Sequence, residues 1–383
     1  MTSRTEGPPA RQARAAAKPK WRVAVIANIK DDGQPLPPGV PADAFADFDS
    51  IETIDQMRAA IETDGHRTTF LVADATLPQA LLRYKPDICF NMAEGLGGDA
   101  REAHVPALLE LLKIPYTASR VQTNAISLDK TLTKRIWRDR RLPVAPFQEF
   151  IVGDESLRPD LNFPLFVKPA REGTGMGVDA KAIVSDEAEL RDRVRYVIDR
   201  YAQPALVETF LPGREFTVGT LGRRDAAAFG RHPEWYEKDG FHRFPILELD
   251  SSRSVTPNIY SQEAKSISVG AEGAPEYLCP AIVDPELNRK LQHLALRAHT
   301  LLGALDVSRT DVRLDADGNP RLLEINTLPG LTQGYSDLCI QAAAENIAYE
   351  DLILEILYLG ASRWGMLKSR VETESAESKS VSH

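Results

Sequence analysis

The sequence predicts an α/β protein in which an N-terminal, doubly wound parallel sheet is followed by two smaller α+β units. Three features carry that prediction. Over residues 21–93, short β-branched apolar runs alternate with helical stripes, the pattern of strands joined by crossover helices. A strand ending at Lys168 runs into the glycine-rich turn Gly173-Thr174-Gly175-Met176-Gly177. Towards the C-terminus, two strands joined by Asp317-Gly318-Asn319 read as a hairpin.

Residues 21–28 (WRVAVIAN) form the first buried strand, an apolar run with no helical stripe. The Pro/Gly-rich segment 33–41 is a loop. Ser50 is placed to cap a helix whose apolar residues recur at helical spacing, and Gly65 ends it. Residues 67–72 and 86–93 read as the second and third strands. A second unit begins near Ser119, with a helix over 129–140, strands over 163–170 and 205–210, and a helix over 186–201. A third runs from Phe216, and its polar stretch 237–273 is expected to include a mobile loop. The expected division is a disordered basic tail (1–20), an N-terminal α/β domain (21–118), central and C-terminal subdomains (119–215 and 216–363), and a disordered tail (364–383).

A chain of 383 residues exceeds one ordinary core, consistent with several packed units. Its net charge of -9 argues against a nucleic-acid partner, since phosphate backbones are met by a basic face. Three scattered cysteines suit neither a disulfide framework nor a zinc site, and predict reduced thiols in the cytoplasm. No apolar run reaches membrane-spanning length, and the basic start lacks the apolar stretch of a secretory signal.

Three constellations carry chemistry. Lys168 and the glycine turn offer a point charge and backbone N–H groups that can approach phosphate closely. The strand through Val207 and Glu208 into Phe210-Leu211-Pro212-Gly213-Arg214-Glu215 offers backbone groups to a flat ring and a carboxylate to hydroxyls. Read alone, the first is also a surface turn and the second an ordinary strand end. The hairpin is sharper. Period-2 alternation puts Arg309, Asp311 and Arg313 on one face and sets Glu324 beside Asn326. Two carboxylates and an amide suit Mg²⁺ bridging phosphates. The apolar exit Leu328-Pro329-Gly330-Leu331 argues against a merely solvated hairpin face.

Taken in this order, and with residues 110–119 (ELLKIPYTAS), 128–135 (LDKTLTKR) and 323–330 (LEINTLPG), the chain resembles the D-alanine–D-alanine ligases of the ATP-grasp superfamily from about Trp21 to Leu359. That resemblance implies an ATP-grasp fold, whose two α+β subdomains clasp ATP behind the N-terminal sheet. It implies an ATP site made by Lys130, Lys168, Glu172, Gly175, Glu208, Phe210, Leu211, Glu215 and Lys265, the last on a closing loop. Asp311, Glu324 and Asn326 would bind two Mg²⁺ (or Mn²⁺) ions, and Arg309, Thr174, Lys265 and Gly330 would be catalytic. The implied reaction is ADP-forming. One small amino-acid substrate becomes an acylphosphate, and the amine of a second attacks it to give an amide. A homodimer serving cell-wall synthesis is the family expectation.

The substrate half departs from the family pattern. Residues 28–33 (NIKDDG) stand where the family has a Gly-Gly loop followed by Ser-x-Glu, leaving Glu52 as the candidate ammonium holder. Ser266 replaces a loop tyrosine and Thr174 a loop serine, while Gly334-Tyr335-Ser336 replaces a serine pair. Asn91-Met92-Ala93-Glu94-Gly95 replaces a His-Gly stretch, so Glu94, Glu102 and Arg101 are candidates for an altered pocket or a solvated loop. Four readings therefore stand: D-alanine–D-alanine ligation, ligation of another amino-acid or specialised-metabolite pair, a non-catalytic nucleotide-binding regulator, and a bicarbonate-using carboxylase partner. Intact Lys168, Arg309, Asp311, Glu324 and Asn326 disfavour the third, and residues 110–119 the fourth.

Overall fold

The computed structural model describes residues 20–30, 40–257, 259–265, 267 and 270–369. Most of the loop expected at 33–41, both expected tails apart from residues 20 and 364–369, and Ser266 lie outside these. Strand β1 (Arg22–Ala27) sits between β2 (Arg67–Val72) and β3 (Ile88–Met92), all parallel, in the order β2-β1-β3. Its period-2 alternation explains how both faces are buried. Val23, Val25 and Ala27 meet Ile54, Met57 and Ile61 of α1 (Ile51–Glu62), while Ala24 and Ile26 meet α2 (Leu77–Tyr84) and α3 (His104–Leu112). Ser50 caps α1, its hydroxyl accepting from the Thr53 N–H at 3.2 Å.

Two helices follow, α4 (Val121–Leu128) and α5 (Lys130–Asp139), the latter capped by Asp129. The central sheet is antiparallel, in the order β4-β7-β5-β6, from β4 (Phe147–Phe150), β5 (Leu165–Pro169), β6 (Ile183–Val184) and β7 (Ala205–Thr209). Helix α6 (Glu187–Tyr201) covers it with Leu190, Val194 and Val197.

The C-terminal sheet comprises β8 (Glu215–Gly222), β9 (Phe241–Arg243), β10 (Leu247–Asp250), β11 (Glu276–Leu278), β12 (Val307–Leu314) and β13 (Pro320–Asn326). Its order is β11-β10-β8-β12-β13, with β9 paired to the end of β8. Its helices are α7 (Gln262–Lys265), α8 (Pro285–Leu302), α9 (Asp337–Ala344) and α10 (Tyr349–Arg363). Two helices break the linear division expected at 119 and 216. Trp137 of α5 is fully buried with Phe216 and Leu291, so α5 belongs to the C-terminal core although it precedes the central sheet. Leu352, Ile356 and Leu359 of α10 return to the N-terminal core beside Val23 and Ile54. Apolar stripes choose partners by shape and burial, not by chain order. Among the described residues, no helix is long and apolar enough to cross a membrane.

Candidate active site

Register builds the centre of the site. In the β12–β13 hairpin Arg309 pairs with Asn326 and Asp311 with Glu324, and a bulge follows between Asp311 and Val312. Asp311 is held from two sides: the Thr217 hydroxyl donates to its Oδ1 at 2.5 Å, and Arg309 donates from Nε and Nη2 at 3.1 Å each. Glu324 stands at the junction of two hollows, one towards the central sheet and one towards the N-terminal domain.

The first hollow is a cleft between the central sheet and the hairpin. Lys130, Lys168, Glu172, Gly175, Glu208, Phe210, Leu211, Glu215, Asp311 and Glu324 all line it, so residues spread over more than half the sequence meet there. Its charge is organised around Glu208, whose carboxylate lies 2.9 Å from both the Lys168 and Lys134 Nζ atoms. Burial acts to raise the Glu208 pKa, but the two ammonium groups outweigh it and hold the carboxyl down at about 2. The lysines respond differently. Burial works to lower both, and the neighbouring acids overcome it at Lys168, which is raised, whereas Lys134 stays below its ordinary value. Lys134 is fully buried and shares its acid with Lys168, so desolvation prevails there.

Lys130 reaches Glu324 at 3.2 Å and donates to the Glu172 carbonyl. Glu215 pairs with Arg313 at 3.1 Å, and the Arg313 guanidinium lies 5.5 Å from the centroid of the Phe210 ring. Lys134 was not among the residues expected from sequence, and alternation places Arg313 on the hairpin face with Arg309 and Asp311 but gives it no role in this cleft. Lys134 does leave a trace in the sequence, standing four residues after Lys130 on one face of α5.

The second hollow is a cavity of about 650 Å³. Arg309, Glu324, Asn326, Gly330, Tyr335, Ser336 and Thr174 line it, as do Glu94, Asp49 and Thr53. Gly330 allows close approach: a Cβ there would lie 2.9 Å from the Ser336 Oγ, which accepts from the Thr332 N–H. The Thr53 and Thr332 hydroxyls meet at 3.0 Å, joining α1 to the segment after β13.

Two expectations for this end need correction. Glu52 does not face the cavity: it is exposed in the first turn of α1, and this segment turns Asp49, Ser50 and Thr53 inward. The helical period sets that outcome, since Thr53 and Ile54 take the buried face. Arg101 is not in a solvated loop. It is buried, paired with Asp47 at 3.0 Å and Glu172 at 3.2 Å, and neither it nor Glu102 lines the cavity. Two phenols not singled out from the sequence border the cavity. Tyr260 lines both hollows, and its hydroxyl lies 2.9 Å from that of Tyr277, which lines the cavity. Lys265 ends α7, and its side chain lies outside the described residues.

The acids at the N-terminal end are unusual. Burial lifts Asp49 to about 7, with Lys30 opposing and Asp47 adding to the rise. Burial also lifts Glu94 well above the carboxylate range, helped by Glu102 and Asp47. Two desolvated carboxyl groups facing one cavity lose part of that cost when a cation enters.

A parallel N-terminal sheet followed by two α+β sheets that grip a lysine-lined cleft defines an ATP-grasp fold. The model of the family described as D-ala D-ala ligase C-terminus matches residues 136–358. The D-alanine–D-alanine ligase of Cupriavidus taiwanensis is 33% identical over 68% of this chain and 72% of its own length. The uncharacterised protein y4sG of Sinorhizobium fredii is 31% identical over 90% of this chain and 98% of its own. The crystal structure of the D-alanine–D-alanine ligase from Bacillus anthracis complexed with ATP shares the fold, with a TM-score of 0.66, 22% identity, and coverage of 90% of this chain and 99% of that one. The chain belongs to the D-alanine–D-alanine ligase family.

Proposed function

We propose that this protein is an ATP- and Mg²⁺-dependent ligase that joins the carboxylate of one amino acid to the amine of another, with D-alanine as the first substrate to test at both positions. The observation that carries the reading is the cross-strand pairing of Arg309 with Asn326 and Asp311 with Glu324, set where the lysine-lined cleft opens into the acidic cavity. Asp311, Glu324 and Asn326 form a hard oxygen donor set that fits magnesium, and magnesium bound there supplies charge neutralisation for the phosphates. Lys130 and Lys168 hold the phosphates, and Glu208 keeps Lys168 in place. Phe210, Leu211 and Glu215 line the far end of the cleft, where adenine and ribose fit. Thr174 and the N–H of Gly330 border the reacting carbonyl, and Arg309 stabilises its oxyanion. Asp49 and Glu94 hold the first substrate's ammonium.

The first carboxylate attacks the γ-phosphate to form an acylphosphate and ADP. The second amine then attacks the acyl carbonyl, and phosphate leaves. Enclosure by Tyr260 and Tyr277 protects the acylphosphate from water.

A second reading, ligation of a different pair, is favoured by how the similarities are distributed. Named D-alanine–D-alanine ligases align with between 68% (Cupriavidus taiwanensis) and 82% (Geotalea uraniireducens) of the chain, whereas the uncharacterised y4sG aligns with 90% of it. Asp49 and Glu94 both lie in the N-terminal part, away from the matched family segment. The reading extends to a cytoplasmic homodimer, supported by family membership alone and tested by sedimentation.

Phosphate release from MgATP across D- and L-amino acids, singly and in pairs with products weighed by mass spectrometry, tests the proposal. D-alanyl-D-alanine as product supports the first reading and another dipeptide the second. Release that never depends on an added amine overturns both.

A further inference from the structure

Arg309 is gripped on every side. Nε and Nη2 donate to Asp311, and Nη1 lies 3.1 Å from the Oδ2 of Asp337. Asp311 is shared with the proposed metal site, so its hold on Arg309 changes as magnesium comes and goes. Asp337 is the anchor outside that site. It is buried at the first position of α9 and lines the same cavity as Arg309.

The helix that carries it is fastened to the sheet under Arg309. Gln341 of α9 donates from Nε2 to the backbone carbonyls of Thr217 at 3.0 Å and Pro245 at 2.8 Å. Leu338 packs onto Gly219, where a Cβ would come within 2.5 Å of the Leu338 Cδ1. Thr217, held at its carbonyl by Gln341, donates its hydroxyl to Asp311. The contacts close into a ring: Asp337, Arg309, Asp311, Thr217, Gln341 and back along α9. An acid at a helix start is ordinarily exposed and interacts with the helix dipole. This one is buried and turned to a guanidinium, so dipole complementarity does not account for its placement.

We propose that Asp337 is a positioning residue for Arg309, fixing the guanidinium by its Nη1 edge so that it faces the reacting carbonyl whatever Asp311 is bound to. The inference rests on the ligase reading above. A long arginine side chain otherwise samples several rotamers, and a rigid second anchor removes that freedom before the oxyanion forms.

The test is a kinetic double-mutant cycle in the full-length protein, with phosphate release from MgATP and D-alanine (or the pair found in the panel) as the readout. Asp337→Ala is expected to lower kcat about 30-fold, and Asp337→Asn, which keeps an acceptor oxygen, about threefold. The KM for MgATP and the calorimetric affinity for MgADP should stay within about twofold, because Asp337 does not line the lysine-lined cleft and reaches it through Arg309. The decisive arm is the Arg309→Ala background, in which adding either Asp337 substitution should change kcat by less than about twofold. Formate should restore part of the activity of Asp337→Ala and none of that of the double variant.

Independent, multiplying losses overturn the positioning role. So does parallel loss of MgADP binding and melting temperature with no advantage for Asn over Ala, the outcome of a merely structural contact. If Asp337→Ala does not fold, the Asn variant alone and over Arg309→Ala completes the cycle. A wild type without amine-dependent phosphate release overturns the ligase reading and this role together, whereas an active wild type with additive losses overturns this role only.

Discussion

The two hollows that meet at Glu324 are built by different rules. The lysine-lined cleft, proposed to hold the nucleotide, is assembled largely from strand register: Lys168 on β5, Glu208 on β7, Asp311 on β12 and Glu324 on β13 project from paired strands. The cavity beside it is assembled from segments far apart in the chain, namely residues 49–53, Glu94, Tyr260, Tyr277 and 330–337. Sheet geometry fixes the first, leaving little freedom for the ligand it accepts. The second shares Arg309, Glu324 and Asn326 with that hairpin, but its acids Asp49 and Glu94 stand outside the named strands, so they can be exchanged without disturbing a strand ladder. The junction should therefore tolerate no change and the outer cavity should tune substrate affinity.

The largest effect expected of that contrast is at the junction. Asp311→Ala or Glu324→Ala should reduce turnover by roughly a thousandfold or more, and chelating magnesium should do the same to the wild type. Glu324→Ala should change the melting temperature by no more than a few degrees, whereas Asp311→Ala should lower it further, since it takes a buried anion from Arg309 and Thr217. Comparable turnover in either variant would break the assignment of the hairpin as the metal ledge.

Next comes the ion triad. The Glu208 carboxyl stands at about 2 against an ordinary 4.5. Its ionised form thus contributes up to about 3 kcal/mol of stability above pH 4.5, lost as pH falls from there towards 2. Glu208→Gln leaves Lys134 and Lys168 without their buried anion, and should lower stability at pH 7 by about 3 kcal/mol. Denaturant unfolding at pH 7 and across pH 2–4.5 checks both points. A variant that keeps the acid-range slope of the wild type would show that Glu208 is not its source.

The difference between the two hollows also explains what could be read from the sequence. Alternation in 309–313 and 324–326 placed the right side chains together because a hairpin turn converts period-2 spacing into cross-strand neighbours without any tertiary information. The three parallel strands were legible for a similar reason, each being a short apolar run flanked by helical stripes. Asp49 was not legible. It stands one residue before the Ser50 cap, and only the packing of α1 and β1 shows that it faces inward. Tyr277 and Asp337 were missed because nothing local ties β11 and the start of α9 to one cavity. The placements of α5 and α10 escaped for the same reason, since an amphipathic helix declares that it has a partner and not which one.

A mid-sized effect sharpens the comparison at the N-terminal end. Asp49→Asn should raise the KM of the first amino acid about 30-fold while leaving the KM for MgATP within about twofold. The pH dependence has a definite sign. Only the ionised carboxylate attracts an ammonium group, and Asp49 titrates at about 7. The first substrate's KM in the wild type should therefore fall as pH rises through 7, and this dependence should flatten in Asp49→Asn. A variant with unchanged KM would move ammonium recognition to Glu94 alone.

The smallest expected effect separates the spatial assignment from the linear one. Glu52 lies only three residues from Asp49, and sequence alone favoured it as the ammonium holder. Its side chain is exposed at the start of α1, where hydrogen bonds from its own backbone N–H and from Ser50 favour its charged form and water screens it from the cavity. Glu52→Ala should therefore change every kinetic constant by less than about twofold, with at most a small loss of helix stability from the removed first-turn acid. A rise in the first substrate's KM comparable to that of Asp49→Asn would mean that α1 turns by one face when substrate binds, and the division between a rigid nucleotide half and an exchangeable substrate half would then have to include movement of α1 itself.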